Sequence, residues 1–446
     1  MAIIGIRRED KSVWERRAPL VPADVAELVS THGVDVRVQS AERRCFSDDE
    51  YRRAGAVVAD DLRDADVILG VKEIPLDSLE AGKTYLFFSH TMKGQSYNMP
   101  MLQRLLELGC TLLDYELVQD DSGVRTIAFG RYAGLAGAID TLWALGKRLA
   151  LRGFETPLLG VQQAIEYGDI AAARAAIEEA GRRIARDGLP AEISPLVIGV
   201  TGGGGKVSGG ALEILDLLPS RRVDPDELAT VIDGCEAGGR EVLVASYAPG
   251  HLVEPVDASA RYSWDDYLQH PGAYRSRFAP HLALLSALVH GIYWEEGYPR
   301  FVLRQDLAPL WANGQRPKLE VITDITCDPD GSNESLVRIT DPGDPVYVYD
   351  PATGSAVDGW EGPGPAVLPV EIFPAEIPRD SSEHFSRMLS PLVPALARAG
   401  RNLDAGDESV PAALRGSLLA VRGKLLPRWE EELSKPLGQH GSGAAS

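Results

Sequence analysis

The chain has 446 residues, 44% of them hydrophobic and 25% charged, with a formal net charge of -20. That length exceeds what one hydrophobic core supports, so two domains with at most a small appendage are expected. The acidic balance excludes nonspecific binding to nucleic acid or anionic membranes, which needs basic patches, and any anionic substrate must be caught by a local arginine cluster.

Taken in chain order, Ile3 to Ile6 reads as a short strand. The segment from Arg7 to Pro22 then packs four arginines and a lysine into what reads as a strand end and a turn. Guanidinium forks at this density suggest carboxylate recognition. Pro22 to His32 reads as a helix burying Ala23, Val25, Leu28 and Val29, and Val34 to Val38 alternates like a second strand, which makes a βαβ unit. The rhythm continues through strands at Asp66 to Val71, Thr84 to Phe88 and Thr111 to Asp114, with a helix at Met99 to Leu108. Such alternation implies a mostly parallel, doubly wound sheet.

Between Arg131 and Leu151 small residues lie on one helical stripe, which suggests a long helix crossing between domains and closely approached by another helix. A second helix follows at Ile165 to Arg186, and Pro195 to Val200 opens a new strand, glycine loop and helix. The fold class expected is therefore α/β, two doubly wound Rossmann-like domains with a cleft between them. Residues 1–130 with 345–446 are assigned to a substrate and catalytic domain, and residues 131–344, including the inter-domain helix, to a dinucleotide-binding domain. A strand from Leu319 ends near Asp324, the Gly- and Pro-rich run after Asp350 reads as an ordered loop and a strand, Ser381 to Arg398 reads as a closing helix, and Gly438 to Ser446 as a disordered tail.

The loop from Val200 to Ala211 lies between an apolar strand and a helix expected to begin near Gly210, the context that a dinucleotide site requires. Gly203 and Gly205 read as the first two glycines of G-x-G-x-x-G, with Ser208 in the third position. Lys206 and Val207 complete the loop. Asp224 stands near the end of the next strand, at the spacing of an acid that binds the ribose 2′-hydroxyl of NAD, whereas Arg221 and Arg222 could hold the 2′-phosphate of NADP. In the first domain, polar groups gather at the carboxyl ends of strands, where doubly wound folds bind ligands: Lys72 and Glu73, His90 and Lys93, Asp114 and Glu116, then Arg125 and Phe129. The four cysteines, Cys45, Cys110, Cys235 and Cys327, have no metal spacing, so no metal is expected and the thiols read as free ones of a reducing compartment. The N-terminus lacks a signal-like apolar region, and the longest apolar stretch, around His281 to Trp294, is too short to span a bilayer. A cytoplasmic location is expected, with small-molecule partners and no nucleic acid or membrane; whether the chain is a homo-oligomer is left open.

The segment Glu15-Arg16-Arg17-Ala18-Pro19-Leu20-Val21-Pro22 resembles the E-x-R-x-A-L-T-P signature of the alanine dehydrogenase/transhydrogenase N-terminal superfamily, from which Pro19 and Val21 depart. The glycine loop resembles the G-x-G-x-V-S-x-G-A form of lysine-ketoglutarate reductase domains. The segments RREDKSVWERRAPL, DDEYRRAGA, ILGVKEIP, FFSHTMKGQ, LLDYE, AFGRYAGLAG, HGIYWEEGYPR and ITDITCDPDGS, in this order, resemble the lysine-ketoglutarate reductase domain of aminoadipic semialdehyde synthases and, more weakly, the lysine-forming saccharopine dehydrogenases. This resemblance implies a reversible, NAD(P)H-dependent reductive condensation of L-lysine with 2-oxoglutarate to saccharopine, with NADPH as cofactor and NADH also admitted.

Carried over residue by residue, the resemblance makes Lys72 and His90 the catalytic acid/base pair and Glu73, Lys93 and Glu116 the neighbours that tune it. Arg17 and Arg125 would bind carboxylates and Phe129 would wall the keto-acid site. The expected cofactor site comprises Gly203, Gly205, Lys206, Val207, Ser208, Arg222, Asp224 and Asp324. Because the matched region ends near the chain's end, cleavage of saccharopine to glutamate and semialdehyde is not expected. The alternatives are an alanine dehydrogenase-like or other opine-forming amine and keto-acid reductase, and a nucleotide-sensing protein that does not catalyse.

Overall fold

The computed structural model describes residues 1–314 and 316–441. Their strands, in chain order, are β1 (Ile4–Ile6), β2 (Val36–Gln39), β3 (Val57–Ala59), β4 (Val67–Leu69), β5 (Thr84–Phe87), β6 (Thr111–Asp114), β7 (Leu196–Thr201), β8 (Ser220–Val223) and β9 (Val242–Tyr247). Then follow β10 (Val253–Pro255), β11 (Tyr274–Ser276), β12 (Ala287–His290), β13 (Val321–Asp324), β14 (Tyr347–Asp350), β15 (Ser355–Asp358), β16 (Ala366–Leu368), β17 (Leu418–Val421) and β18 (Lys424–Leu425). The chain divides into two compact α/β units, Met1–Phe129 with Pro378 onward, and Gly130–Ile377.

The first unit is built on one eight-stranded sheet in the order β18-β17-β6-β5-β4-β1-β2-β3. The six strands from β1 to β6 run parallel, and β17 closes the β6 edge antiparallel. Strands buried on both faces need continuous apolar runs, and β1, β4, β5 and β6 are buried at every position. The helix Pro22–His32 starts on a proline, whose missing N–H costs nothing there, and stops at Gly33, whose φ of 61° is left-handed. It buries Val25 and Leu28, whereas Ala23, expected on that face, is exposed. The closing helix is broken, into Pro378–Leu389 and Val393–Ala399 with a tight turn at Ser390–Leu392. The tail expected to be disordered is helical from Pro427 to Gly441; its last residues, 442–446, lie outside the described ones.

The second unit has an eight-stranded sheet in the order β15-β14-β16-β13-β12-β7-β9-β8 and a small β10-β11 hairpin. Strands β8, β9, β7, β12, β13 and β16 are parallel; β14 and β15 form an antiparallel edge. Residues 345–377, expected in the first domain, belong here, because the Gly- and Pro-rich run hides the β14-β15 hairpin and then β16, which pairs with β13. The helix Gly130–Leu151, expected to cross between domains, lies wholly in this unit. Its small stripe does what the sequence suggests: a Cβ on Gly134 would stand 1.9 Å from the Val207 carbonyl oxygen, and one on Gly210 would stand 2.0 Å from that of Arg131. The helix Lys206–Leu215 therefore meets it backbone to backbone. No helix of the described residues is long and apolar enough to cross a membrane, and all four cysteines are free thiols.

Two carboxyl groups are fully buried beside this long helix. Asp140 accepts the Ala164 N–H at 2.7 Å, Glu376 accepts Gln163 Nε2 at 3.2 Å, and the two carboxyls share a hydrogen bond. Burial, reinforced for Glu376 by the Asp140 charge, raises both above the ordinary carboxylate range. A raised carboxyl contributes stability below its unfolded pKa, roughly 4 to 4.5, and loses it as pH rises through the folded value. The second unit should thus become less stable as pH rises through about 6, where Asp140 titrates, and beyond, and Glu376→Gln should flatten that slope in urea titrations. Independently, Gly210→Ala should lower its stability by about 1–3 kcal/mol or more, read from the same transition.

Candidate functional sites in the two units

In the first unit, the carboxyl ends of β1, β4, β5 and β6 carry the polar residues singled out in the sequence. Lys72 and Glu73 follow β4, and His90 follows β5. The His90 ring Nδ1 lies 2.7 Å from Glu73 Oε1, and the Lys11 ammonium lies 3.0 Å from Glu73 Oε2. Burial alone would raise the Glu73 carboxyl, but the His90 hydrogen bond and the charges of His90, Lys11 and Lys72 hold it well below the usual range. His90 has a left-handed backbone, φ 48°, a conformation that costs a non-glycine residue about 1–3 kcal/mol. Asn98 braces it, donating through Nδ2 to the carbonyls of Ser89 at 3.1 Å and His90 at 3.4 Å. Asp114 fixes the preceding residue by accepting the Ser89 N–H at 2.8 Å.

Arg17 is buried, and Glu15 grips it with two side-chain bonds, Nε to Oε1 at 2.8 Å and Nη2 to Oε2 at 2.6 Å. Its guanidinium sits 4.1 Å over the Phe129 ring, which stacks on Phe385 at 4.7 Å. Lys72 stands close enough to feel this charge: burial, then Arg17, lower its ammonium below the ordinary lysine value, while Glu73 and Glu15 act in the opposite sense. Arg125 covers the Phe88 ring at 5.1 Å and lies 3.4 Å from Glu116, and Phe88 stacks on His90. Lys93 is exposed in the turn after His90. Seven of the expected residues (Lys72, Glu73, His90, Arg17, Arg125, Phe129, Glu116) thus gather in one connected cluster. Glu9, Glu15, Lys11, Phe88 and Asn98 join them without having been singled out; Glu15 and Lys11 were visible as charges within the arginine-rich segment.

In the second unit, a cavity of about 840 Å³ opens at the carboxyl ends of β7, β9, β12 and β13. Gly202 to Val207 form one wall, Gly291 to Trp294 and Ile325 to Asp328 another, and Trp264, Tyr267 and Tyr298 add aromatic rings. The helix begins at Lys206 rather than near Gly210, with Gly205 as its N-cap, so its free N–H groups face the loop. A Cβ on Gly202 (φ 77°) would meet the Gly291 carbonyl oxygen at 2.7 Å, and one on Gly203 would meet Ala248 N at 2.9 Å. Such a side-chain-free cradle at a helix N-terminus fits a pyrophosphate. Ser208 turns inward, donating to the carbonyls of Gly202 at 2.7 Å and Gly205 at 3.0 Å; it shapes the loop.

Three expected cofactor residues are placed differently. Asp324 is fully buried, where its carboxylate accepts from Thr326 N, Thr326 Oγ1 and Asn333 Nδ2 at 2.9, 2.6 and 2.8 Å; it anchors the Ile325 to Asp328 wall without lining the cavity. Asp224 directly follows β8, near the strand end as expected, but β8 is the sheet's edge, and β9 stands between it and the glycine-loop strand β7. The spacing rule presumes that the second strand lies next to the first, and here the third does. Arg222 lies exposed with its guanidinium on Asp216 at 2.6 Å. Among the described residues one cluster has metal-ligand spacing, Asp224, Asp226 and His251, and there the Arg277 guanidinium already bonds Asp226 at 2.6 Å.

Residues 5–136 match the model of the alanine dehydrogenase/PNT N-terminal domain family. Over 442 residues the chain is 35% identical to the mitochondrial alpha-aminoadipic semialdehyde synthase of Bos taurus, covering 96% of this chain and 47% of that protein. The chain thus spans about half the length of such relatives. It is 27% identical over 414 residues to the saccharopine dehydrogenase [NAD(+), L-lysine-forming] of Neurospora crassa, covering 87% and 90% of the two chains. A solved L-alanine dehydrogenase shares the fold, with TM-score 0.61 at 18% identity over 97% of this chain and 99% of that one. The chain is thus similar over nearly its whole length to about half of the semialdehyde synthases and, at lower identity, to the lysine-forming saccharopine dehydrogenases, and its first part matches the alanine dehydrogenase/PNT N-terminal domain.

Proposed function

We propose that this chain catalyses the reversible reductive condensation of L-lysine with 2-oxoglutarate to saccharopine. The observation that carries the reading is the amine of Lys72, lowered by burial and Arg17, in one cluster with the His90–Glu73 hydrogen bond. The chemistry needs proton carriers at three points: the attacking amine must be neutral, the carbinolamine must lose water to give the imine, and the reduced product must be protonated. Lys72, whose ammonium gives up its proton more readily than an ordinary lysine, accepts the proton of the incoming amine. His90, held by Glu73, delivers a proton to the departing hydroxyl. Glu116 and Lys93 tune this pair by their charges. Arg125 and Arg17 receive carboxylates, and the Phe129 ring packs against the keto acid.

A nicotinamide nucleotide, when bound, supplies the hydride that reduces the imine. Gly202, Gly203 and Gly205 would hold its pyrophosphate against the start of the helix at Lys206, with Val207 and the aromatic wall around it. We favour NADPH over NADH. β9 ends at Ser246-Tyr247 and is followed by Ala248-Pro249-Gly250, a segment with no carboxylate of its own for a ribose 2′-hydroxyl and none to repel a 2′-phosphate.

Lys72→Met and His90→Gln should each lower kcat for lysine and 2-oxoglutarate by about 100-fold or more, followed as nicotinamide oxidation. Undiminished turnover in both variants would sink the acid/base assignment, and turnover confined to alanine or pyruvate would replace the substrate reading. In the same assay kcat/KM should be at least about 10-fold higher with NADPH, a difference of roughly 1.4 kcal/mol. A clear preference for NADH would return the ribose role to Asp224.

A further inference from the structure

The end of β4 leaves two backbone donors that the sheet does not use. Beyond Leu69, the Gly70 N–H donates to the Leu86 carbonyl at 3.1 Å, and the Val71 carbonyl accepts the Phe88 N–H at 3.1 Å. The N–H groups of Val71 and Lys72 take another course: Val71 N donates to Glu9 Oε1 at 2.8 Å and Lys72 N to Glu9 Oε2 at 2.9 Å. The Glu9 side chain is only 2% exposed, with the Arg7 guanidinium 3.8 Å away. It passes over Gly70, where an added Cβ would lie 3.5 Å from Glu9 Oε1 and 3.1 Å from Arg7 Cδ. Burial pushes this carboxyl up to about 7 in spite of Arg7 and both N–H donors, so the fold bears a cost to keep it in place.

We propose that Glu9 is the positioning residue of Lys72, a two-pronged acceptor that fixes the backbone from which the Lys72 side chain leaves the sheet and hence where its amine stands. Glutamate suits the task because each of its two oxygens can take one of two adjacent N–H groups. Glutamine would turn an NH₂ toward one of those donors, and aspartate is a methylene shorter. The proposal rests on the functional reading above only for what the amine does in catalysis.

The test uses the full chain with its lysines reductively ¹³C-methylated, so that the Lys72 resonance, assigned by its loss in Lys72→Met, reports the amine's titration directly. In Glu9→Gln the loop should loosen and the midpoint should rise toward the ordinary lysine value, while kcat falls about 10- to 100-fold and KM changes less. A folded Glu9→Gln protein with the wild-type titration and kcat would overturn the proposal. So would an unmoved titration with reduced stability, the mark of a purely structural carboxylate. If Glu9→Gln does not fold, Glu9→Asp, which keeps the charge but reaches one N–H at most, is read by the same titration and decided in the same way. If the wild-type chain turns over no lysine and 2-oxoglutarate, the functional reading fails, and the titration still decides the role of Glu9.

Discussion

A buried guanidinium close enough to Lys72 to weaken its hold on a proton sets the terms of the first unit. Arg17 cannot enter the protein alone, because an uncompensated buried charge costs several kcal/mol. Glu15 neutralises it from two residues away, and Phe129 presents its ring face below, itself held by Phe385 from the far end of the chain. Burial would raise the Glu15 carboxyl, and the Arg17 charge and hydrogen bonds override it and hold it low. Breaking such a pair by removing one partner costs about 3–5 kcal/mol, so the geometry of the cluster and the stability of the unit are tied together.

The same compensation recurs around the cluster. Glu73 is shared between Lys11 and His90, and Arg125 is met by Glu116. An acidic chain therefore does not simply collect positive charge where an anionic ligand would bind. It builds a site in which Arg17, Lys11 and Arg125 each already face a carboxylate, and a guanidinium fork carries more donors than one carboxylate occupies. Recognition then depends on the position of those donors more than on net charge.

Much of this was legible in the sequence. The central strands β1, β4, β5 and β6 of the first sheet are continuous apolar runs, so their carboxyl ends could be located, and the ionisable residues that follow them could be read as one group. What escaped was set by packing between distant segments. Asp224 occupies the spacing of a ribose acid, but the order β8-β9-β7 is decided by which strand docks beside β7, and nothing local in the chain encodes it. Asp324 sits at a strand end like the other candidates, yet Thr326 and Asn333 consume its carboxylate. Residues 345–377 were misassigned because a tight hairpin and a loop share the same glycines and prolines. Glu9 passed unnoticed among four neighbouring arginines, since its partners are backbone N–H groups rather than charges.

The serine in the third position of the glycine fingerprint, which loosened the match by sequence, also has a physical account. That third glycine normally lets the helix pack closely. Here the helix Lys206–Leu215 presents two faces with separate needs. Ser208 faces back into the loop, where its hydroxyl reaches the carbonyls of Gly202 and Gly205 and its Cβ has room. Gly210, two residues on, faces the helix Gly130–Leu151, where a Cβ would collide with the Arg131 carbonyl. Gly210 thus serves a close helix–helix contact, while Ser208, at the third position, braces the loop from within. The motif departs from the pattern in spelling because these two needs fall on different faces of one helix.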